Sequence, residues 1–274
     1  MKIPDFSSGL WLGILTLIFF VVITGRYFLM AGIFYFIFYK WSPEKWKQRK
    51  INQHDYKSSQ LRTEMKWSII SSVIFSITGA FTVLLWQKGF TKVYTNISNY
   101  GWWYLPVSLL IYMLIQETYY YWIHRWMHRP AVFRIIHKVH HDSKIASPFT
   151  AFSFHPIEAL LQAIFIPILL LLIPIHLYVI IILLTIMSFS SVINHLDIEI
   201  YPTGSLNKFS KWVIGATHHS QHHKRYKYNF GLYFTFWDRI KKTESPEFDS
   251  LFLSKTNKLV IKKTLPGATS EVKS

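Results

Sequence analysis

Four apolar runs, at residues 9–39, 67–86, 103–123 and 155–194, constrain this chain more than any other feature. A bilayer crossing takes roughly 20 helical residues, a length that each run reaches. In lipid the backbone must satisfy its own hydrogen bonds, so the runs are read as helices. Composition agrees: 51% of the residues are hydrophobic and only 16% are charged, which excludes an ordinary soluble domain. Arg26 alone interrupts the first run, which is read as one long tilted helix, with a short re-entrant piece as the alternative. The last run is too long for one crossing, and Pro174 in "LLIPIHL" predicts a hairpin of two spans turning near His176. Residues 1–6 lack a basic n-region and no small-residue cleavage site follows, so the first run is expected to be a retained anchor.

Charge orients these spans. Residues 40–66 carry Lys40, Lys45, Lys47, Arg49, Lys50, Lys57, Arg62 and Lys66 against Glu44, Asp55 and Glu64, whereas residues 87–101 hold only Lys88 and Lys92. The positive-inside rule makes the first loop cytoplasmic and the second not. Residues 124–150 and 195–250 then return to the cytoplasmic face. The formal charge of +16 fits basic loops and a basic tail (Lys255, Lys258, Lys262, Lys263) lying against anionic headgroups. Nucleic acid is not expected as a partner, because the basic residues flank spans and form no independent polar domain. The chain has no cysteine, so disulfides and thiolate ligands are excluded.

On that one face fall three histidine clusters: "HRWMH" (His124, His128), "HKVHH" (His137, His140, His141) and "HHSQHH" (His218, His219, His222, His223). Spacings of three and four residues put the imidazoles of each cluster on one side of a helix. Imidazole suits iron, zinc and copper, and partly buried rings without partners would be costly, so a shared metal site is expected. The set is too large for one tetrahedral ion, which predicts two metals. His195, directly after the predicted hairpin, is a further candidate ligand. His155 is assigned a ligand-orienting role, with Glu158 as an acceptor for an imidazole N–H. Asp142, Asp197 and Asp238 are read either as charges offsetting the metals or as ordinary caps and surface charges. His54 is read as a solvated loop residue and His176 as an interfacial one.

The boxes HxxxH, HxxHH and HxxHH in that order, with "HPIEALL" after the second and "YNFGLYFTFWDRI" after the third, resemble the fatty acid hydroxylase superfamily, in its sterol desaturase branch. The likeness covers about residues 100 to 245, while residues 1–95 match only as generic spans. The resemblance implies a membrane enzyme with two iron ions that uses dioxygen to hydroxylate or desaturate a lipid: a sterol, a sphingolipid, a fatty acyl chain or a carotenoid. Carried over by position, the ligands are His124, His128, His137, His140, His141, His195, His219, His222 and His223; His218 is left outside the metal set, near it. Iron with open positions can activate dioxygen, and zinc, having no redox chemistry, cannot. No haem or flavin domain is recognisable, so electrons are expected from a separate reductase and carrier.

The expected fold is all-α: a membrane bundle of four to five spans with a cytoplasmic helical cap that holds the dimetal site. Residues 1–95 would form the N-terminal spans and basic loop, 96–250 the catalytic domain and 251–274 a basic tail. A zinc-dependent membrane hydrolase and a metal transporter are the competing classes. The first would bring a pattern such as HExxH, which is absent, and the second would place ligands within the spans near the midplane.

Overall fold

A computed structural model describes residues 4–202 and 210–256. The part of the basic tail beyond residue 256, with Lys258, Lys262 and Lys263, lies outside the described residues. The chain is mostly helical, and its long helices follow the apolar runs. Helix α1 (Gly9–Tyr35) continues without a break through a π-helical turn at Phe36–Trp41, so the re-entrant alternative falls. After the short α2 (Pro43–Trp46), helix α3 (Ser58–Gln87) returns antiparallel to α1. The side chain of Gln87 ties the outer ends together by bonding to Phe6 N and Pro4 O. Further along the pair, Ser68 Oγ bonds to Tyr27 Oη at 2.8 Å. Small residues on the buried face of α3 (Ser68, Ser72, Ser76, Ala80) bring the two backbones close, as is usual where helices pack in lipid. A Cβ at Gly79 would stand 2.9 Å from the Phe19 ring.

Helix α4 (Tyr104–Met127) leads into a compact run of turns: α5 (Pro130–Val132), a π-helical segment at Phe133–His137, and α6 (Lys138–His141). Helices α7 (Pro156–Leu172) and α8 (Leu177–Asn194) form the predicted hairpin. Pro174 separates them, and Ile175–His176 pairs in parallel with Val93–Tyr94. His176 is buried rather than interfacial. Its Nδ1 accepts from Tyr178 N at 3.1 Å and its Nε2 donates to Thr95 O at 2.9 Å, so it caps α8 and latches the turn. Three short helices complete the described chain: α9 (Ala216–Arg225), α10 (Phe236–Ile240) and α11 (Phe248–Thr256).

Among the described residues, three helices are long and apolar enough to cross a membrane: Gly9–Trp41, Ser58–Gln87 and Leu177–Asn194. Helix α4 is long enough but more polar, with Gln116 and Glu117 buried on its inner face. Helix α7 is apolar and 17 residues long, with Pro167 inside it. The cores sit at different levels. Tyr112, Leu169, Ile175, Val179 and Leu183 pack at the α7–α8 turn. Tyr27, Ala31, Ala151 and Val192 pack where α1 meets the 3₁₀ turn at Pro148–Phe152. That turn, the ends of α4 and α8, and the start of α7 surround the histidine clusters.

Candidate metal centre

The expected ligands come from the ends of the long helices and from the short helical segments between them. His124 lies in the last turn of α4 and His128 follows it; His137, His140 and His141 come from the π-helical segment and α6; His195 caps α8; His219, His222 and His223 come from α9. The nine form two groups, His124, His128, His137, His141 and His222 in one and His140, His195, His219 and His223 in the other. Within each group the ligand atoms lie within 4.8 Å of one another. The division follows from helical geometry. Side chains four residues apart are offset by about 40° around the axis and share a target, whereas i+3 and i+4 diverge by about 100°. Thus His124/His128, His137/His141 and His219/His223 each stay together, and His140 and His222 cross to the other group. Each HxxHH box therefore serves both positions.

The outward nitrogens settle the tautomers. Nδ1 of His124 bonds to Phe230 O at 2.9 Å, that of His222 to Tyr228 O at 2.7 Å, and that of His195 to Ser191 O at 2.7 Å. His223 Nδ1 bonds to Ser143 O at 3.0 Å and His140 Nδ1 to Ser153 O at 3.3 Å. A carbonyl only accepts, so these Nδ1 atoms carry the proton and the Nε2 lone pairs point inward. His137 Nδ1 meets Glu158 Oε1 at 2.8 Å, both groups being fully buried. Burial, reinforced by the neighbouring imidazoles, holds His137, His140, His141, His219, His222 and His223 well below the ordinary histidine range. Burial likewise pushes His195 down to about 4.

Neutral rings with protonated Nδ1 cannot hydrogen-bond to each other through Nε2. Yet His140 and His195, whose Nδ1 atoms both donate to carbonyls, approach at 3.1 Å through their Nε2 atoms. His124 Nε2 is buried with no partner. Facing lone pairs of this kind call for a cation between them, so the donor set fits a metal in each group.

The remaining candidates fall elsewhere. His155 does not orient a ligand. It is the N-cap of α7, its Nδ1 accepting from Ile157 N at 3.3 Å, and its ring faces Trp67. The motif "HPIE" begins a helix, and Glu158, one turn in, is the residue that reaches His137. His218 is buried away from both groups, stacked 3.6 Å from the Phe248 ring and 3.8 Å from Glu244. Asp142 is an exposed surface charge paired with Lys138. Asp197 is buried and receives Asn52 Nδ2 at 2.6 Å and Ser220 Oγ at 3.1 Å, joining the first loop to α9. Asp238 receives Phe230 N and Gly231 N at 2.9 Å.

Among the buried carboxylates that escaped the sequence reading, two support the loops around the histidines. Glu117 accepts Leu232 N at 3.1 Å, Tyr233 N at 2.6 Å and Phe234 N at 3.2 Å, and so holds the loop whose carbonyls orient His124 and His222. Glu64, counted in sequence only as a loop charge, is buried beside the Ser143–Thr150 stretch. A signal was available for Glu117, a lone acid inside an apolar run.

The comparisons with known proteins come to the same place. A fatty acid hydroxylase family profile matches residues 109–243. Lathosterol oxidase of Mus musculus is 32% identical over 216 residues, which cover 78% of this chain and 69% of that protein. The Homo sapiens lathosterol oxidase is 31% identical over the same shares. The Delta(7)-sterol 5(6)-desaturase of Saccharomyces cerevisiae is 30% identical over 203 residues, 73% of this chain and 54% of that protein. No solved structure matches. Apolar helices, buried histidine clusters and these relatives together define an integral membrane oxidoreductase. The chain belongs to the fatty acid hydroxylase superfamily, in its sterol desaturase branch.

Proposed function

We propose that the chain is a di-iron lipid oxidase that introduces a double bond into a sterol-type ring system, with the histidine boxes on the cytoplasmic face. The observation that carries this reading is the convergence of nine imidazoles, eight of them buried, on two positions. The relatives named for sterol oxidation point to the substrate class. For a desaturation the balance is loss of two hydrogens from adjacent carbons, with dioxygen, two electrons and two protons giving two waters. The electrons would come from a separate reductase and carrier.

His124, His128, His137, His141 and His222 would hold one iron and His140, His195, His219 and His223 the other. Bound iron supplies the redox chemistry that activates dioxygen for cleavage of an unactivated C–H bond. The chain supplies the frame. Backbone carbonyls and Glu158 fix the imidazole tautomers, which raises ligand basicity and holds each ring in orientation. Five nitrogens in one group and four in the other would hold the ions through neutral imidazoles alone. Burial of eight of the nine rings would keep bulk water from the reacting centre.

Metal analysis of the detergent-purified protein tests this directly. Two irons per chain supports the oxidase, one zinc a hydrolase, and weakly held exchangeable metal a transporter. Lipid profiling of a deletion strain then names the reaction. A precursor lacking that double bond should accumulate, and an unchanged sterol profile would overturn the substrate class.

A further inference from the structure

We infer that Glu64, on α3 and outside the region matched by the family profile, is the positioning residue for the four-histidine metal position, and that the two positions are buttressed separately. The inference rests on the dimetal reading above. Glu64 is 1% exposed and receives four donors: Ser143 Oγ at 2.6 Å, Ser147 Oγ at 2.5 Å, Thr150 Oγ1 at 2.8 Å and Gln60 Nε2 at 2.7 Å. The same Gln60 amide reaches Ile145 O at 2.8 Å. The whole loop from Ser143 to Thr150 is thereby tied to one carboxylate. A buried charge is tolerated only when so satisfied, and a network complete in its donors is rigid.

What that loop does is visible at its ends. Ser143 O holds His223 Nδ1 at 3.0 Å, and Ser153 O, one turn after Thr150, holds His140 Nδ1. Backbone bonds carry the constraint along, since Ser153 N donates to Thr150 O at 2.9 Å. Both histidines belong to the four-member group. The five-member group has different supports: Glu158 on His137, and the loop carbonyls Tyr228 O and Phe230 O, which Glu117 and Asp238 secure. None of the Glu64 partners touches an outward nitrogen of that second set. Removing Glu64 should release His140 and His223 together while leaving the five-histidine position standing.

The test compares Glu64→Ala, Glu64→Gln and Glu158→Ala in the purified full chain. Metal per chain is measured by mass spectrometry, and amide hydrogen exchange over residues 143–153 is followed after chelator treatment. Glu64→Ala should bind one metal instead of two and exchange faster over that loop. Glu64→Gln, which keeps the size and one acceptor oxygen, should retain both metals. Glu158→Ala should weaken the other position without changing loop exchange. Two metals retained in Glu64→Ala, or both lost in equal measure, overturns the assignment, as does unchanged exchange. If Glu64→Ala does not fold, Ser147→Ala removes one of the four bonds and should show the same loop-specific change, and its absence overturns the proposal. A wild-type chain without metal would sink the dimetal reading, while the exchange comparison in metal-free protein still decides the role of Glu64.

Discussion

At the scale of single residues, the histidines divide by what their nitrogens meet. His222 and His140 each point Nε2 into a metal group while Nδ1 donates to a carbonyl, and no carboxylate stands in reserve to replace either ring. Replacement of either by Ala is expected to abolish lipid oxidation and lower the metal content, measured together on purified protein. His54, exposed in the first loop, should tolerate the same change with activity nearly intact. His176 differs from both. It lies far from the metals but caps α8, so His176→Ala should cost about 1 kcal/mol of stability, read as a lower melting temperature with metal content unchanged. Acid provides another check. The buried histidines have folded-state pKa values below the ordinary value of about 6.5, so in the metal-free protein the unfolded chain binds more protons as pH falls. Their contribution is therefore complete above about pH 6.5 and is lost on acidification toward the value of about 4 held by His195. The melting temperature of the metal-free protein should drop across that window; a flat profile would contradict the neutral tautomers assigned here.

Among the elements, the loop from Tyr228 to Phe234 shows how backbone supports chemistry. Its amides converge on Glu117 and Asp238, and its carbonyls on His222 and His124. Such convergence needs the chain to pass very close to itself at Gly231, where an added Cβ would stand 2.5 Å from Phe234 O and 3.0 Å from Glu117 Oε1. The nearest atom is backbone, which cannot swing aside as a side chain could. Gly231→Ala should thus displace the loop and reduce metal at the five-histidine position; normal metal content in a folded Gly231→Ala protein would show that the loop does not govern the site. The lesson extends to the boxes themselves. Their i, i+3 and i+4 spacing announced one helical face each and the divergence of i+3 from i+4 allows a split, but the two targets themselves appear only once α6 and α9 face each other.

For the whole molecule, the topology argument ties function to sidedness. The absence of cysteine from the chain makes each introduced cysteine a unique reporter. Cysteines placed at Asp55 and Lys227, both exposed, should react with an impermeant thiol reagent from the cytoplasmic side alone, and one at Ser98 from the opposite side alone. Labelling of positions 98 and 227 from the same side would overturn the one-sided arrangement of the boxes.

Much of this was legible in the residues alone, for a physical reason. Spans are dictated by hydrocarbon thickness, charge bias by the membrane potential and headgroups, and ligand faces by helical pitch, all of which act over stretches of at most a few turns. So α1, the α7–α8 hairpin and the three boxes could be read from the chain. The supports could not, because their bonds join residues far apart in sequence. Glu64 meets Thr150 across 86 positions and Glu117 meets Tyr233 across 116. His155 was misread for the complementary reason: nearness to Glu158 in sequence suggested a shared role, while the N-cap turned one ring toward Ile157 and the first helical turn carried the carboxylate to His137. Local periodicity determined which side chains were available as ligands. Long-range packing decided which nitrogen each ring turns inward, that two positions exist for the diverging members of each box to face, and which carboxylate or carbonyl holds each ring there, since tautomer and orientation are set by partners that the linear sequence does not place side by side.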